Sequence, residues 1–476
     1  MNLVDPRAGT KAINRSRAVL VGPTASSLLR TIFAAAAIGF VAVVTTAALM
    51  WSFVQLDHGE VRTAIRQAFA DGALVVKSGQ LFDLRRGDYL FNDCLLLQTM
   101  LLGRDDWRHS VIDATIYLND EPCRTLEEEV TNQRPSASTY QYSRYIFAAR
   151  VASAPLIALF GVEHTKRGLE AVTYSVLLLT AAIAIYALAT GGGSHTRPRS
   201  LYIAGLLCVA AMLGAYRLEY YAQTLSHGYS ELVIAAFLLY AVALSSEKKD
   251  RGVPIAAIVL GVLTGCFELL TGPSLVAVGV AVLLDHCAAP ARSRPYQRAA
   301  LVGFGCAAGI LLAVFWQQSL ISALSDAQPF YQFATHLAMR LQLHQFFAIP
   351  FEPQWATTAN LQLYSFGDVV GAVVDALPTL TYGSSRAAQL VFICSALIVV
   401  AGTALSRRET RPGCVIAAVV GLSVPVWYLA FANHTYLHSV YMVRMAVLLP
   451  VCAGISLMFI LAPNSWMAAS NKSAAW

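Results

Sequence analysis

The sequence predicts an all-α fold, a polytopic transmembrane bundle of about ten spans with reclining helices in a large first outer loop. Three observations lead there. Of the 476 residues, 57% are hydrophobic and only 13% charged, whereas a soluble domain carries roughly twice that charge. The apolar residues fall in runs near the roughly 20 that a helix needs to cross a bilayer. The basic residues sit in short clusters between those runs, the pattern that orients a membrane protein. The net charge of +6 is therefore read as orientation, not as nucleic-acid binding, and no zinc-finger spacing, basic helix or aromatic RNA-binding motif accompanies it.

The elements follow in order. Residues 1–30 form a polar, basic cytoplasmic N-terminus, and 31–54 the first span. That run is too long for the apolar region of a cleaved signal, so it reads as an uncleaved helix. Residues 55–169 form the first outer segment, in which 64–75 and 89–102 read as amphipathic helices. A bundle fills 170–320, with spans at 170–190, 200–216, 228–245, 253–268, 272–287 and 299–320. Residues 321–386 form a second outer segment with aromatic and proline-rich stretches suited to the lipid–water interface. Spans at 387–405, 413–431 and 440–461 complete the C-terminal part, and 462–476 is a cytoplasmic tail.

One apolar stretch, 145–162, carries Arg150 and Pro155. If it does not cross, the cytoplasm receives Arg7, Lys11, Arg15, Arg17, Arg30, Arg197, Arg199, Lys248, Lys249, Arg251, Arg292, Arg294, Arg298, Arg407, Arg408 and Arg411. The short outer loops then keep only Arg217 and Arg444. If it does cross, every later basic loop moves outside. The positive-inside rule therefore lays 145–162 on or into the outer leaflet. Of nine cysteines, only Cys94 and Cys123 lie in a large soluble segment. They read either as a disulfide in an oxidising compartment or as two unrelated buried thiols.

With the topology set, charged groups at the outer ends of helices become functional candidates. Asp57 directly follows the first span, where a carboxylate is placed to act as a base on a lipid-phosphate-linked substrate. Glu60, with Arg62 and Arg66, also reads as an ordinary helix start. Arg144 lies in YQYSRY, either a phosphate ligand or a snorkelling residue of an aromatic belt. In 216–231, Arg217 and Glu219 are spaced to pair, while His227 and Glu231 share a face if their helix starts early. Two such ligands are too few for a metal site. Glu268 lies in the apolar CFELLTGP, where a carboxylate is costly unless paired or protonated. Its bland reading is a buried pair with Arg217 or Arg444. The last outer turn, ANHTYLHSVYMVRM, holds Asn433, His434, His438 and Arg444. Asn433 also starts an N-x-T glycosylation sequon, set aside because the short basic loops suggest a bacterial protein. No Walker, GxGxxG, GxSxG or HExxH motif occurs, which argues against an ATP-driven pump and a soluble-type hydrolase.

A first helix followed by a carboxylate, a long outer segment with reclining helices and then a bundle resembles the GT-C class of membrane glycosyltransferases. YSRY at 142–145, FELLTGP at 267–273 and NHTYLHSVYMVR at 433–444 are similar to a poorly characterised bacterial branch of that class. The resemblance covers most of the chain through short motifs. It implies transfer of a sugar from a polyprenyl-phosphate carrier to a glycan or protein acceptor on the periplasmic side of a bacterial inner membrane. By that resemblance Asp57 is the catalytic base, with Glu60 second in line. Arg144 and Arg444 hold the donor phosphate, and the histidines bind acceptor or phosphate. Arg217, Glu268 and Asn433 join the substrate site. Many members carry a carboxylate pair, but here Asp57 is followed by His58. No cofactor is assigned, and a divalent metal stays open. The competing readings are a transporter or flippase, expected to show polar groups in mid-membrane, and a non-catalytic assembly protein, expected to tolerate loss of Asp57 and Glu268. A membrane acyltransferase would need a catalytic His or Ser deep in the bundle.

Overall fold

The computed structural model describes residues 24–54, 58–76, 90–102, 115–117, 121–133, 138–141, 148–190, 198–244, 252–267, 272–290, 294–324, 328–347, 349, 361–381 and 384–461. The protein is a helical bundle. Among the described residues, α1 (Ala25–Val54) is followed by three short helices: α2 (His58–Ala70), α3 (Leu90–Leu101) and α4 (Pro122–Val130). A two-stranded antiparallel ribbon, β1 (Thr115–Tyr117) with β2 (Thr139–Gln141), pairs Ile116 with Tyr140. The predicted helices 64–75 and 89–102 thus appear as α2, shifted toward the N-terminus, and α3.

The bundle continues with α5 (Ala148–Ala189), α6 (Arg199–Gly214), a one-turn α7 (Leu218–Tyr221), α8 (Gly228–Leu239), α9 (Gly252–Phe267), α10 (Gly272–Ala288) and α11 (Pro295–Leu324). Residues between the bundle and the C-terminal helices contribute α12 (Pro329–Arg340) and α13 (Phe366–Ala376). Ser365 caps α13 reciprocally with Asp368. The chain ends in α14 (Ser385–Leu405), α15 (Arg411–Ala430), the short α16 (Ala432–Leu437) and α17 (Ser439–Met442), and α18 (Leu448–Leu461). Each of the ten expected spans falls on an apolar helix. Among the described residues, six helices are long and apolar enough to cross a membrane, and four more are apolar but shorter. The molecule is thus a membrane protein built from α-helices, with large apolar side chains such as Phe33, Leu159, Ile185 and Leu397 exposed on its flanks.

The boundary expected at 169/170 falls inside α5. α5 runs for 42 residues in two limbs, and the limb 162–189, about 42 Å at the usual helical rise, is by itself long enough to cross the hydrocarbon core. The helical path breaks at Gly161, whose φ of 77° suits a residue without a Cβ. The stretch expected to recline is therefore the first limb of a broken helix that leads directly into a span.

Three cores place the parts. The largest joins α6, α8, α10, α15 and α18 through residues such as Leu238, Val280, Ala417 and Val451. Another joins α1, α9 and α11, with the Trp316 indole N–H donating to the Ala36 carbonyl at 2.9 Å. The third seats α2, α3 and α4 on the first limb of α5 and on the 225–229 turn, through Ile65, Leu97, Leu126, Ile157 and Leu225. The α2–α4 segment is thus packed on one end of the bundle through a hydrophobic core of its own.

Candidate functional site

At that end, the chain breaks between spans, and the breaks meet. Arg444 lies at the start of the last apolar helix and is fully buried, as is Glu231 in the first turn of α8. The Arg444 Nη1 donates to Glu231 Oε1 at 2.6 Å. Its Nε donates to the Tyr441 carbonyl at 3.1 Å. The guanidinium plane sits 3.8 Å from the centre of the Tyr221 ring. A desolvated cation over an aromatic face gains about 2 kcal/mol, which adds to the ion pair in offsetting the cost of burying the charge. Gly272, which opens α10, packs against the same group. A Cβ there would lie 3.2 Å from the Tyr441 carbonyl oxygen and 3.4 Å from Arg444 Cβ. The GP turn of FELLTGP and the MVRM stretch are thus brought into contact, although they are separated by more than 160 residues of sequence.

The α2–α4 segment reaches the same place. Asn92 of α3 donates from Nδ2 to the Tyr441 hydroxyl at 3.2 Å and lies 3.1 Å from His227 Nε2. Its neighbour Asp93 is fully buried. Asp93 Oδ1 accepts from the backbone N–H groups of Leu225 at 2.8 Å and Ser226 at 3.2 Å, and Lys166 Nζ of α5 lies 2.9 Å from Oδ2. Next in sequence, Cys94 is disulfide-bonded to Cys123 of α4. Arg62 of α2 donates to the Glu129 carboxylate at 2.6 Å, and Arg66 to the Val130 carbonyl at 2.7 Å. The two arginines therefore join α2 to the end of α4, and α3 pins the assembled unit to the bundle.

α12 also reaches this cluster. Arg340, at the end of α12, donates from Nη1 to Asn433 Oδ1 at 3.0 Å. Asn433 is fully buried, so its sequon is not accessible for glycosylation in this fold. His434 and His438 lie with ring centres 4.7 Å apart, and His438 is 6.3 Å from the Tyr441 ring. Burial pushes both imidazoles down from the usual histidine value, and the Arg340 charge adds to this; His438 falls to about 3. Both ring nitrogens of His434 are shut off from solvent and have no hydrogen-bond partner among the described residues.

The chain matches no family model, no curated protein and no solved structure.

The sequence candidates can now be placed. Asn433, His434, His438 and Arg444 gather at one end with His227, Glu231 and Tyr441. Arg217 is a short distance away in a different role: its guanidinium pairs with Glu219, donates to the Thr379 carbonyl and stacks on Tyr220. His227 precedes the helix and lies beside Asn92, while Glu231 pairs with Arg444. Glu60 sits exposed in the first turn of α2. Asp57, Arg144 and Glu268 lie outside the described residues. Among the described residues, no group of three or more His, Cys, Asp or Glu side chains is arranged to hold a metal ion. Sequence reasoning missed Asn92, Asp93, Lys166 and Arg340. Lys166 carried no distinguishing local signal, because it sits in the polar run 163–170 beside Glu163, His164 and Arg167.

Proposed function

We propose that this protein is a membrane glycosyltransferase that moves a sugar from a polyprenyl-phosphate carrier to a glycan or protein acceptor on the outer face of a bacterial inner membrane. One observation carries the reading. At a single end of an apolar bundle, both outer segments and the last inter-span turn converge on buried arginine and tyrosine side chains and a half-buried histidine pair. Such groups stabilise a departing phosphate, and that depth suits a lipid carrier's head group.

In this reading the acceptor oxygen attacks the anomeric carbon as the bond from that carbon to the phosphate oxygen breaks. Polyprenyl phosphate leaves with the bonding electrons. The acceptor proton passes to a carboxylate, which we assign to Asp57 with Glu60 second in line. Arg144 and Glu268 are assigned to the substrate site with the described cluster. Arg444 acts as the cluster's keystone, since its guanidinium is already engaged by Glu231 and Tyr221. Membranes containing the protein, incubated with mass-labelled polyprenyl-phosphate sugars and envelope glycans, are expected to release polyprenyl phosphate and label one acceptor. Donor hydrolysis without a labelled acceptor, or no donor consumption by well-folded protein, contradicts the reading.

A further inference from the structure

We propose that Arg150, in the first turn of α5, binds the carboxylate of an acidic sugar in the acceptor. That the ligand is an acceptor rests on the transferase reading; the anion site itself does not.

Arg150 is a charge without a counterpart. It is buried, with 8% of its surface exposed. The other buried cations of this end are engaged: Arg444 by Glu231, Lys166 by Asp93 and Arg340 by Asn433. Among the described residues, Arg150 has no hydrogen bond, ion pair or aromatic face, and no charged group acts on it. It therefore stands apart from the Arg444 and Arg340 cluster. A guanidinium stays charged, and a buried charge left alone is strongly destabilising. An anion from outside the chain relieves that strain.

The position is receptive to one. The N–H groups of a helix's first turn have no intrahelical acceptor, and the helix dipole favours an anion there. The first turn of α5 holds no acidic residue. The guanidinium also meets solvent. None of its nitrogens is sealed without a partner, so the small exposed part of the residue includes them. The limb that carries it is held in place. Ser153, one turn on, lies 3.0 Å from the Tyr229 hydroxyl of α8, and Tyr229 stacks on Phe267 of α9 with ring centres 5.3 Å apart. Ala149 belongs to the core under α2–α4, and Ala148 and Val151 to the core of α1, α9 and α11. Arg150 thus sits at the seam of two cores.

Charge decides the class of anion. Among the described residues no second cation acts on Arg150, so the site neutralises a monoanion. A phosphate monoester carries about −1.5 to −2 and would leave excess negative charge in a desolvated place. A carboxylate carries a single charge and offers two coplanar oxygens to the guanidinium fork. In a glycan acceptor that group is the carboxylate of a uronic acid, fixed one bond from the sugar ring.

Purified full-length protein in micelles, titrated calorimetrically with methyl glucuronide, methyl glucoside, methyl glucoside 6-phosphate and an acetylated, amidated glutamate, tests the site. Methyl glucuronide is expected to bind most tightly. Arg150→Gln is expected to bind it about tenfold more weakly, and Arg150→Lys to retain part of the affinity. Without ligand, Arg150→Met is expected to unfold at or above the wild-type temperature, because it removes a charge that no group of the chain offsets. A marked fall in that temperature reveals a partner within the chain and overturns the proposal. So does undiminished glucuronide binding by folded Arg150→Gln, equal binding of methyl glucoside, or tighter binding of the 6-phosphate or the glutamate. Glucuronide binding that depends on Arg150, in protein that transfers no sugar, upholds the carboxylate site and contradicts the transferase reading. Sugar transfer to a neutral glycan, unaltered in Arg150→Gln, upholds that reading and overturns this site.

Discussion

Replacing Glu231 by Gln removes one charge from a pair in which neither side chain is exposed and the N···O distance is 2.6 Å. The shape is nearly unchanged, so the cost is electrostatic. Arg444 cannot shed its proton, because a guanidinium stays charged at any accessible pH. Among the contacts it keeps are the Tyr221 face and the Tyr441 carbonyl, worth about 2 kcal/mol and about 1 kcal/mol respectively. Breaking a buried pair from one side costs about 3–5 kcal/mol. Removing both charges together, with Glu231→Gln and Arg444→Met, eliminates the stranded charge. The double variant is therefore expected to be more stable than Glu231→Gln alone, with a coupling of about 1–3 kcal/mol. The assay is reversible unfolding in mixed micelles, with each variant compared at equal detergent composition. A double variant whose loss equals the sum of the two single losses refutes the reasoning.

Three other outcomes follow from the same contacts. Asp93→Asn, which strands Lys166, is expected to cost about 3–5 kcal/mol and to speed proteolysis of the α2–α4 unit; unchanged cleavage counts against α3 as the pin. Removing the Cys94–Cys123 bond, which spans 29 residues of sequence, is expected to destabilise that unit by about 3–4 kcal/mol. Alkylation with and without reductant, read by mass, checks the bond itself. His434 and His438 have native values depressed below the unfolded value of 6.5, His438 to about 3. The unfolded chain therefore takes up these protons first, so stability is full above pH 6.5 and declines as pH falls toward 3. Thermal midpoints should drop between pH 7 and 5.5, and a His434→Gln, His438→Gln double variant should flatten that slope; an unaltered slope in the variant contradicts the assignment.

Much of the bundle was legible because apolar runs near 20 residues have few alternatives to a membrane helix. Local signals also located α3, and they marked the polar clusters at 216–231 and 432–445. The first limb of α5 was legible as an anomaly, through Arg150 and Pro155, but its break at Gly161 was not. A glycine in an apolar helix reads the same whether its φ is helical or positive. The site's pairings were least legible. Glu231 meets Arg444 across 213 positions, and Asn92 meets Tyr441 across 349. Nothing local in either partner names the other, so sequence reasoning offered Arg444 to Glu268 as a partner. Arg340 escaped notice because arginine at a helix C-terminus is favourable on the surface too; only its burial against Asn433 distinguishes it.

The most direct test of the glycosyltransferase account is the mass profile of surface glycans and glycoproteins in a null strain complemented with wild-type protein or with Asp57→Asn. At equal membrane levels, the account predicts that Asp57→Asn loses one defined sugar that wild type restores. A wild-type profile from Asp57→Asn would contradict it.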